Sequence, residues 1–503
     1  MRPSLIDIIS CLEANGLLKG ASLQGLSPGT VFSDVTFDDR TAGKDSLFVC
    51  KGAMFKEDYL LSAFEKGAIL YVAERAYQEN LPHLLVGDIR LAMSKLAVLF
   101  FSHEASSVIK IGITGTKGKT TVAAFLNAVL DTYCMRQYSR RSALISSLFT
   151  YDGIVDKPSV LTTPEAIELW RHLANAAKSE IPYAVCEISS QAMKYHRASD
   201  VTFDAALFLN IGIDHISEIE HPDFDDYFRS KLKIFDKAEA ALIHSATAYF
   251  EEVKTSAEGA GCRVYTFGAK ESDTLRLLSS GRTSDTETFT VSYEGAAEEY
   301  AISLFGKHNI ENALAAILAA KLLGIPYDDI RTGLLSARVA GRGIEIASRD
   351  GTLRVIVDYA HNGMSLEALY RYVETEYPDH RVITLFGCPG GKAKNRRGDM
   401  GKTAALHSDL VILTEDDPAN EDLGAIIKEI AVYVEEENTP YLICHDRAAA
   451  IALAFDQAVG KTVLLLCGKG AENTQKRMNQ TVSYETDEYF ARQGIESYDA
   501  VTV

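Results

Sequence analysis

A stretch rich in glycine, lysine and threonine, Gly115–Thr121 (GTKGKTT), contains the residue types that bind a polyphosphate. Its two glycines allow backbone N–H groups to approach phosphate oxygens, Lys119 supplies a cation, and the hydroxyl of Thr120 suits Mg²⁺. The commonest phosphate-loop pattern has glycine five residues before Gly118, whereas this chain has Ile113 there, so the loop is a variant. The predicted nucleotide-binding residues are Gly115, Thr116, Lys117, Gly118, Lys119, Thr120 and Thr121.

The residues on either side supply the strand and the helix that such a loop needs. An apolar run from Val108 to Ile113 is typical of a buried strand. Apolar residues then recur after the loop with helical spacing, at Val122, Phe125, Leu126, Val129 and Leu130. A Gly-Lys-Thr triplet also occurs in ordinary surface turns, but the order strand, loop, helix favours a nucleotide site.

Two other predicted strands end in polar residues. Glu187 ends one apolar strand, and Asp214 and His215 follow another. If both strands flank the strand of the loop, Glu187 and His215 converge on the phosphates, where a carboxylate and an imidazole suit a divalent metal. Taken singly, each is better explained as a solvated carboxylate or a structural histidine. Lys231 lies on a predicted helix, where a surface lysine is the ordinary interpretation, and the pattern does not distinguish it from Lys233.

Composition limits the class of protein. A chain of 503 residues is too long for one core and suggests about three domains. The net charge of −18 argues against nucleic acid or an anionic membrane as the main partner, so we expect small-molecule substrates. Eight cysteines without a C-x-x-C pair indicate reduced thiols and no zinc site. The first residues resemble an amphipathic helix rather than a signal peptide, and we expect a cytoplasmic monomer.

The order of strands and helices predicts an α/β protein of three domains. Residues 1–103 mix short strands and helices, and residues 104–335 alternate them around a mainly parallel sheet with one antiparallel hairpin. Residues 336–503 repeat the alternation as a second, Rossmann-like doubly wound sheet. Ligands of such sheets bind beyond the carboxyl ends of the strands, where this chain places Asp358, His361 and several glycine-containing loops.

Eleven short motifs follow one another over nearly the whole chain: GTKGKTT (115–121), LTTPE (161–165), EISSQAMKYHR (187–197), NIGIDH (210–215), SKLKIF (230–235), GKHNIENALAA (306–316), GRGIE (341–345), DYAH (358–361), RRGDMG (396–401), DDPA (416–419) and GKGAE (468–472). In this order they resemble the motifs of the Mur ligases, most closely the MurE branch that adds the third residue of the peptidoglycan stem peptide. The resemblance implies a UDP-binding N-terminal domain, a central ATPase-like domain and an amino-acid-binding C-terminal domain.

The resemblance also implies an ATP-dependent amide synthesis. A substrate carboxylate attacks the γ-phosphate of ATP, giving an acyl phosphate, and an incoming amine then displaces phosphate. The residues implied to be catalytic are Lys119, Glu187, His215 and Lys231. Thr120 and Glu187 would hold one Mg²⁺ and His215 would help to hold a second, joined by Lys231 after CO₂ has carbamylated it. The ATP site would be completed by Asn309, Asn312, Arg342, Asp358 and His361.

The implied nucleotide-sugar substrate is UDP-MurNAc-L-Ala-D-Glu. The residues expected to grip it are Arg40, Thr162, Thr163, Ser189 and Arg197. The chain has Asp38-Asp39-Arg40 where the family usually has Asp-Ser-Arg, and an added carboxylate is a poor neighbour for a pyrophosphate. Gln191 and Tyr195 also replace the commoner His and Gln.

The segment Asp416-Asp417-Pro418-Ala419 bears on which amino acid is added. Family members that use meso-diaminopimelate have Asn-Pro-Arg here, and that arginine pairs with the distal carboxylate. Ala419 removes the arginine and Asp417 adds negative charge, which suits the distal ammonium of L-lysine. Arg397 would bind the α-carboxylate, and Gly468 and Glu472 would line the pocket. On spacing alone the segment is an acidic turn.

Several functions remain open at this point. L-Ornithine is an alternative to lysine, because one methylene discriminates by only about 1–3 kcal/mol, and meso-diaminopimelate is another. A folylpolyglutamate-synthase-like addition would keep the fold, but the muramoyl motifs argue against it. A non-ligating amidotransferase subunit would typically carry a Cys₄ zinc insertion, which the cysteine spacing does not supply. A nucleotide-dependent switch would need neither the polar residues around the loop nor an amino-acid pocket.

Overall fold

The computed structural model describes residues 2–52, 55–217, 220–283, 286–339, 341, 343–478 and 480–501. Three separate sheets, here called the N-terminal, central and C-terminal sheets, follow one another along the chain, with helices packed against them. The predicted three-part α/β architecture is confirmed. The domain boundaries at 103/104 and 335/336 stay predictions, and Arg342 lies outside the described residues.

The N-terminal sheet has five strands in the order β1-β5-β4-β3-β2, with β1 antiparallel to β5. The amphipathic helix predicted at the start of the chain is present, begins at a capping box between Ser4 and Asp7, and buries Leu5, Ile8 and Leu12. The elements are α1 (Leu5–Ala14), β1 (Leu18–Ser22), β2 (Asp34–Thr36), β3 (Ser46–Val49), α2 (Glu57–Glu65), β4 (Ala68–Ala73), β5 (His83–Val86) and α3 (Ile89–Phe101).

The central sheet has eleven strands in the order β16-β15-β14-β13-β12-β11-β6-β10-β7-β8-β9. Its elements are β6 (Ile109–Thr114), α4 (Lys119–Tyr138), β7 (Ala143–Ile145), β8 (Phe149–Tyr151), β9 (Asp156–Pro158), α5 (Ala166–Lys178), β10 (Tyr183–Glu187), α6 (Ser190–Lys194), β11 (Phe203–Phe208), α7 (Phe224–Leu232), β12 (Ala238–His244), α8 (Phe250–Gly259), β13 (Arg263–Gly268), β14 (Leu275–Arg282), β15 (Glu287–Tyr293), β16 (Ala296–Ile302), α9 (Lys307–Leu322) and α10 (Tyr327–Ser336).

The strand that precedes the phosphate loop lies in the middle of this sheet. β6 pairs in parallel with β10 on one side and with β11 on the other, as the predicted convergence of Glu187 and His215 requires. Strands β15 and β16 form the predicted antiparallel hairpin, and β14 adds a third antiparallel strand that the sequence pattern missed. Apolar side chains of the buried strands face helices on both sides, which produces a core on each face.

The C-terminal sheet has six strands in the order β17-β18-β22-β19-β20-β21, parallel except for β17. A small hairpin, β23-β24, follows it. The elements are β17 (Ile344–Ala347), β18 (Leu353–Asp358), α11 (Gly363–Glu376), β19 (Arg381–Phe386), α12 (Asn395–His407), β20 (Leu410–Leu413), α13 (Leu423–Glu436), β21 (Tyr441–Ile443), α14 (Arg447–Asp456), β22 (Thr462–Cys467), β23 (Thr474–Arg477), β24 (Gln480–Ser483) and α15 (Asp487–Val501).

All eight cysteines are free thiols, as expected, and six of them are buried. In the part of the chain that the structure describes, no helix is both long enough and apolar enough to cross a membrane.

Candidate active site

The phosphate loop is shaped by its glycines and by a neighbouring asparagine. Gly118 has φ +85° and immediately precedes α4, and a Cβ atom there would collide with Oδ1 of Asn312. Asn210 holds the loop from the other side, because its Oδ1 accepts from the backbone N–H of Lys117 at 2.8 Å and its Nδ2 donates to the carbonyl of Lys117 at 3.1 Å. The first turn of α4 therefore presents its unpaired N–H groups at a defined anion site.

Two lysines converge on one carbonyl of this loop. Nζ of Lys119 and Nζ of Lys231 each donate to the carbonyl oxygen of Gly115 at 2.8 Å. The interpretation of Lys231 as a surface residue is wrong, since only 1% of it is exposed, whereas Lys233 is exposed. Burial, and then the charge of nearby Lys119, lower the pKa of Lys231 well below its usual value. The structure thus distinguishes the two lysines that the sequence pattern could not.

Glu187 stands beside the loop at the end of β10. Its Oε2 accepts from the hydroxyl of Thr120 at 3.1 Å and from the hydroxyl of Ser147 at 3.0 Å. Its Oε1 accepts from the backbone N–H of Ser147 at 2.9 Å. A carboxylate beside a phosphate-loop threonine is a donor set that fits Mg²⁺, which keeps water and phosphate oxygens among its ligands. Among the described residues no three His, Cys, Asp or Glu side chains could hold a metal by themselves.

His215 lies in the loop after β11 and is bound to other protein groups. Its Nδ1 is 2.9 Å from Oε1 of Glu220, and its Nε2 is 4.0 Å from Oδ2 of Asp214. Burial lowers the pKa of His215 despite the hydrogen bond to Glu220, which favours the neutral imidazole that binds metals. Its predicted role in holding a second Mg²⁺ stays a prediction.

The predicted nucleotide-site residues beyond the loop come from both the central and the C-terminal parts. Asn312 donates to Oδ1 of Asn309 at 3.2 Å, on the first turns of α9 next to the loop. Asp358, at the end of β18, accepts from the backbone N–H of Gly343 at 2.8 Å. Burial, followed by the charges of Lys117 and Arg396, lowers the pKa of His361 well below its usual value, which keeps the ring neutral.

Asp214 joins these two parts of the molecule, a role that no pattern in the sequence predicts. Its carboxylate accepts from Lys117 of the phosphate loop at 3.1 Å, from Nε of Arg396 at 3.0 Å and from Nδ2 of Asn362 at 3.1 Å. Burial opposes its ionisation, yet Lys117 and Arg396 hold the pKa of Asp214 well below its usual range. The C-terminal sheet is therefore seated directly over the phosphate loop.

Four of the five residues predicted to bind the nucleotide sugar lie together near Glu187. Thr163 donates to the carbonyl of Glu187 at 2.8 Å and accepts from the backbone N–H of Ser189 at 3.1 Å. Thr162 accepts from the hydroxyl of Ser147 at 3.1 Å, and Arg197 pairs with Glu165 at 3.0 Å. The fifth residue, Arg40, is on a short 3₁₀ turn of the N-terminal part, is mostly exposed and pairs with Asp38 at 2.7 Å.

The Asp416–Ala419 segment follows β20 and has an unusual backbone. Asp417 and Ala419 both have left-handed φ values, +49° and +52°. Aspartate and asparagine tolerate this region best among residues with a side chain, which explains a short polar residue at 417. The carbonyl of Pro418 lies so close to Gly390 that a Cβ atom on that glycine would clash. The glycine-rich loop after β19 and this segment are thus packed as one wall.

The carboxylates of Asp416, Asp417 and Glu472 differ in their surroundings. Asp416 is 7% exposed, and burial raises its pKa to about 6 although nearby Lys469 opposes the rise. Asp417 and Glu472 instead accept hydrogen bonds from Lys469, at 2.8 and 2.6 Å. Gly468 adjoins Asp416, since a Cβ atom placed on it would lie 2.7 Å from Oδ2 of Asp416. Lys469 was not among the predicted site residues, and the only signal for it in the sequence is its position beside Gly468 and Glu472 in the motif GKGAE.

Arg397 is buried on α12 and already has carboxylate partners. Its guanidinium donates to both carboxylate oxygens of Glu421, at 2.8 and 2.7 Å, and to Glu429 at 2.6 Å. Glu421 is correspondingly held ionised, because the hydrogen bonds from Arg397 lower its pKa to about 2. The predicted contact between Arg397 and a substrate α-carboxylate stays a prediction, and it would require Glu421 to give way.

Comparison with known proteins identifies the class to which this fold and site belong. Residues 113–320 match the model of the Mur ligase middle domain, and residues 342–470 match that of the Mur ligase glutamate ligase domain. The chain belongs to the Mur ligase family.

Relatives with assigned activities match almost the full length. The UDP-N-acetylmuramoyl-L-alanyl-D-glutamate–L-lysine ligase of Streptococcus sanguinis (strain SK36) is 38% identical, covering 94% of this chain and 94% of the relative. The ligase of the same name from Enterococcus faecalis (strain ATCC 700802 / V583) is 36% identical, covering 95% and 96%. A solved UDP-N-acetylmuramoyl-L-alanyl-D-glutamate–2,6-diaminopimelate ligase superimposes with a TM-score of 0.63 at 21% identity, over 99% of both chains, and shares the fold.

Proposed function

We propose that this protein is an ATP-dependent ligase that adds L-lysine to UDP-N-acetylmuramoyl-L-alanyl-D-glutamate in the synthesis of peptidoglycan precursors, acting in the cytoplasm. The observation that carries the proposal is the pairing of two sites across Asp214. On one side lie a phosphate loop and Glu187, and on the other lies the C-terminal part, whose buried Asp416 adjoins Gly468 and whose position 419 is alanine and not arginine. The lysine-adding relatives support the same conclusion.

Positive charge around the loop would reduce the repulsion between the two anionic reactants. The substrate carboxylate and the γ-phosphate of ATP are both anions, so their approach requires concentrated cations. Lys119 lies at the loop and donates to the carbonyls of Gly115 and Thr116, from which it can turn to a phosphate. The buried contacts of Asp214 hold the C-terminal part against the loop, and this arrangement would keep water away from an acyl phosphate formed there.

Thr120 and Glu187 are the residues that would hold Mg²⁺ at the phosphates. The ion would neutralise charge on the phosphate oxygens during transfer. Lys231 is enclosed and its lowered pKa favours the neutral amine, the form that reacts with CO₂, so these features support carbamylation of Lys231. A carbamate there, together with His215, would supply oxygen and nitrogen ligands to a second Mg²⁺.

The acidic pocket, which we define by Asp416, Asp417, Glu472 and Lys469, favours lysine over meso-diaminopimelate because of its charge. Three carboxylates, from Asp416, Asp417 and Glu472, surround one internal cation, Lys469. A distal ammonium is attracted into such a pocket, whereas a distal carboxylate without an arginine partner loses charged hydrogen bonds of about 1.5–3 kcal/mol each. L-Ornithine has the same ammonium on a shorter stem and is the second candidate.

The decisive experiment measures phosphate release from ATP with UDP-MurNAc-L-Ala-D-Glu, offering L-lysine, L-ornithine, meso-diaminopimelate and L-glutamate separately, with product masses confirmed. We expect turnover with lysine and none with a Lys119→Met control. Turnover with only another amino acid would keep the ligase chemistry and refute the lysine assignment. If folded protein that binds ATP releases no phosphate with any of the four amino acids, a non-ligating amidotransferase subunit would be favoured.

A further inference from the structure

Lys469 is a fully buried cation inside the acidic pocket, and the proposed reaction gives it no chemical task. Its Nζ bridges Oδ1 of Asp417 and Oε2 of Glu472, at 2.8 and 2.6 Å. Glu472 is held a second time by the hydroxyl of Tyr359, at 2.8 Å. A buried ammonium without partners would be very costly, so the two carboxylates fix Lys469 and Lys469 fixes them.

Asp416 is the third carboxylate of the pocket and is placed differently. Across the described residues no hydrogen-bond donor reaches its carboxylate, although the residue is buried beside Gly468. Burial raises the pKa of Asp416 to about 6, the behaviour of a carboxylate that lacks a bound partner. A cationic group of a substrate would supply the hydrogen-bond donor that Asp416 lacks within the protein.

We propose that Lys469 is a positioning and specificity-determining residue, because by occupying Asp417 and Glu472 it leaves Asp416 as the carboxylate available to the side-chain ammonium of the incoming amino acid. This inference rests on the proposed lysine-adding function. It assigns to an internal lysine the task of setting where along the pocket a substrate ammonium comes to rest.

The proposed specificity depends on competition among the three carboxylates for the substrate ammonium. If Lys469 loses its charge, Asp417 and Glu472 lose their buried cation and keep only neutral hydrogen-bond donors, the backbone N–H of Lys476 for Asp417 and the hydroxyl of Tyr359 for Glu472. Each of them then competes with Asp416 for the substrate ammonium. Amino acids with longer and shorter side chains then find partners with similar ease. Discrimination between lysine and ornithine, which differ by one methylene, depends on a single fixed acceptor.

The test compares Lys469→Met with Lys469→Arg and with a matched control, Lys476→Met. Lys476 is exposed and its Nζ is 4.0 Å from the other oxygen of Asp417, so the control removes a cation near the same carboxylate from outside the pocket. Michaelis constants and kcat are measured for L-lysine and L-ornithine at saturating ATP and nucleotide substrate, and thermal melts report folding.

For Lys469→Met we expect KM for lysine to rise by about tenfold or more, with kcat changed by less than about threefold. The ratio of kcat/KM for lysine to that for ornithine should fall by about fivefold or more, because the ornithine constants change less. Lys469→Arg should recover part of the ratio, since its guanidinium keeps the charge and can bridge both carboxylates. Lys476→Met should stay within about twofold of the wild type.

An unchanged KM and an unchanged lysine-to-ornithine ratio in Lys469→Met would overturn the inference. The inference would also be overturned if kcat/KM fell equally for lysine and ornithine and in proportion to the loss of folded protein. Lys469 would then have only a structural role. If the methionine variant does not fold, Lys469→Gln is the second test, because its amide still donates to a carboxylate without carrying charge, and the same loss of preference is expected. A wild type that rejects lysine contradicts the proposed function itself, and the wild-type reactions therefore separate the two failures.

Discussion

Nε of Arg396 lies 3.0 Å from Oδ1 of Asp214, and this ion pair joins α12 of the C-terminal sheet to the loop that follows β11 of the central sheet. Both side chains are buried. Lys117 of the phosphate loop shares the same carboxylate. One acidic residue therefore links the position of the C-terminal part to the shape of the loop that receives ATP.

Arg396→Gln should weaken this closure. Removing one partner of a buried ion pair costs about 3–5 kcal/mol, and we expect the lower end here because Lys117 and Asn362 still pair with Asp214. The expected result is a larger radius of gyration in small-angle X-ray scattering and a kcat reduced by about tenfold or more. The matched control is Arg371→Gln, whose exposed pair with Glu367 on α11 contributes little. Unchanged scattering together with near-normal kcat would contradict a closing role.

Lys231→Ala should lose most activity, because the position requires a group that becomes carboxylate-like after reaction with CO₂. Short carboxylic acids such as acetate or formate, added to the variant, should restore part of the activity by occupying the vacated space. Lys233→Ala, two residues away and exposed, is the control and should keep normal rates. Phosphate release with and without the added acids is the measurement. Full activity of Lys231→Ala without any acid would exclude the carbamate.

The phosphate loop and its flanking elements could be predicted because their signals are local. A left-handed glycine, the helical spacing of Val122 and Phe125, and the apolar strand before them are all fixed within about twenty residues. The position of Glu187 followed once β10 was assumed to neighbour β6, and the strand pairing confirms that assumption. The hairpin of β15 and β16 was likewise visible as an alternation with period two.

The remaining features depend on contacts between distant parts of the chain. Asp214 and Arg396 are separated by 182 residues, and no local pattern links them. Lys231 and Lys233 lie on the same short segment, and only the tertiary packing of α7 under the phosphate loop buries one of them. Lys469 shares the motif GKGAE with one partner, Glu472, but its other partner, Asp417, is 52 residues away in another loop and is brought to it only by folding.

Asp416→Asn should stabilise the protein while it damages selectivity. Burial raises the pKa of Asp416 from 3.8 to about 6, so folding favours the protonated form. The group therefore lowers stability above about pH 6, and this penalty disappears as the pH falls towards about 4. At about 1.4 kcal/mol per pKa unit, the neutral amide should raise the free energy of unfolding near neutral pH by up to roughly 3 kcal/mol.

Urea denaturation of wild type and Asp416→Asn at about pH 7.5 and about pH 4.5 would measure this difference. We expect a clear gain at the higher pH, a smaller one at the lower pH, and a higher KM for lysine. Loss of stability near neutral pH would mean that Asp416 is already compensated by protein groups. That result would also weaken its assignment as the acceptor of the substrate ammonium.

Ala419→Arg combined with Asp417→Asn should shift the preference from lysine towards meso-diaminopimelate. Position 419 borders a cavity of about 590 Å³ that has room for the longer side chain, and asparagine tolerates the left-handed φ of position 417. The arginine fork would bind the distal carboxylate in two places, whereas Ala419→Lys with the same Asp417→Asn change supplies charge without the fork and should shift the preference less. Relative kcat/KM for the two amino acids is the measurement. If lysine use is untouched in the arginine variant, this segment does not determine selectivity, and the acceptor of the side-chain ammonium must lie elsewhere on the C-terminal sheet.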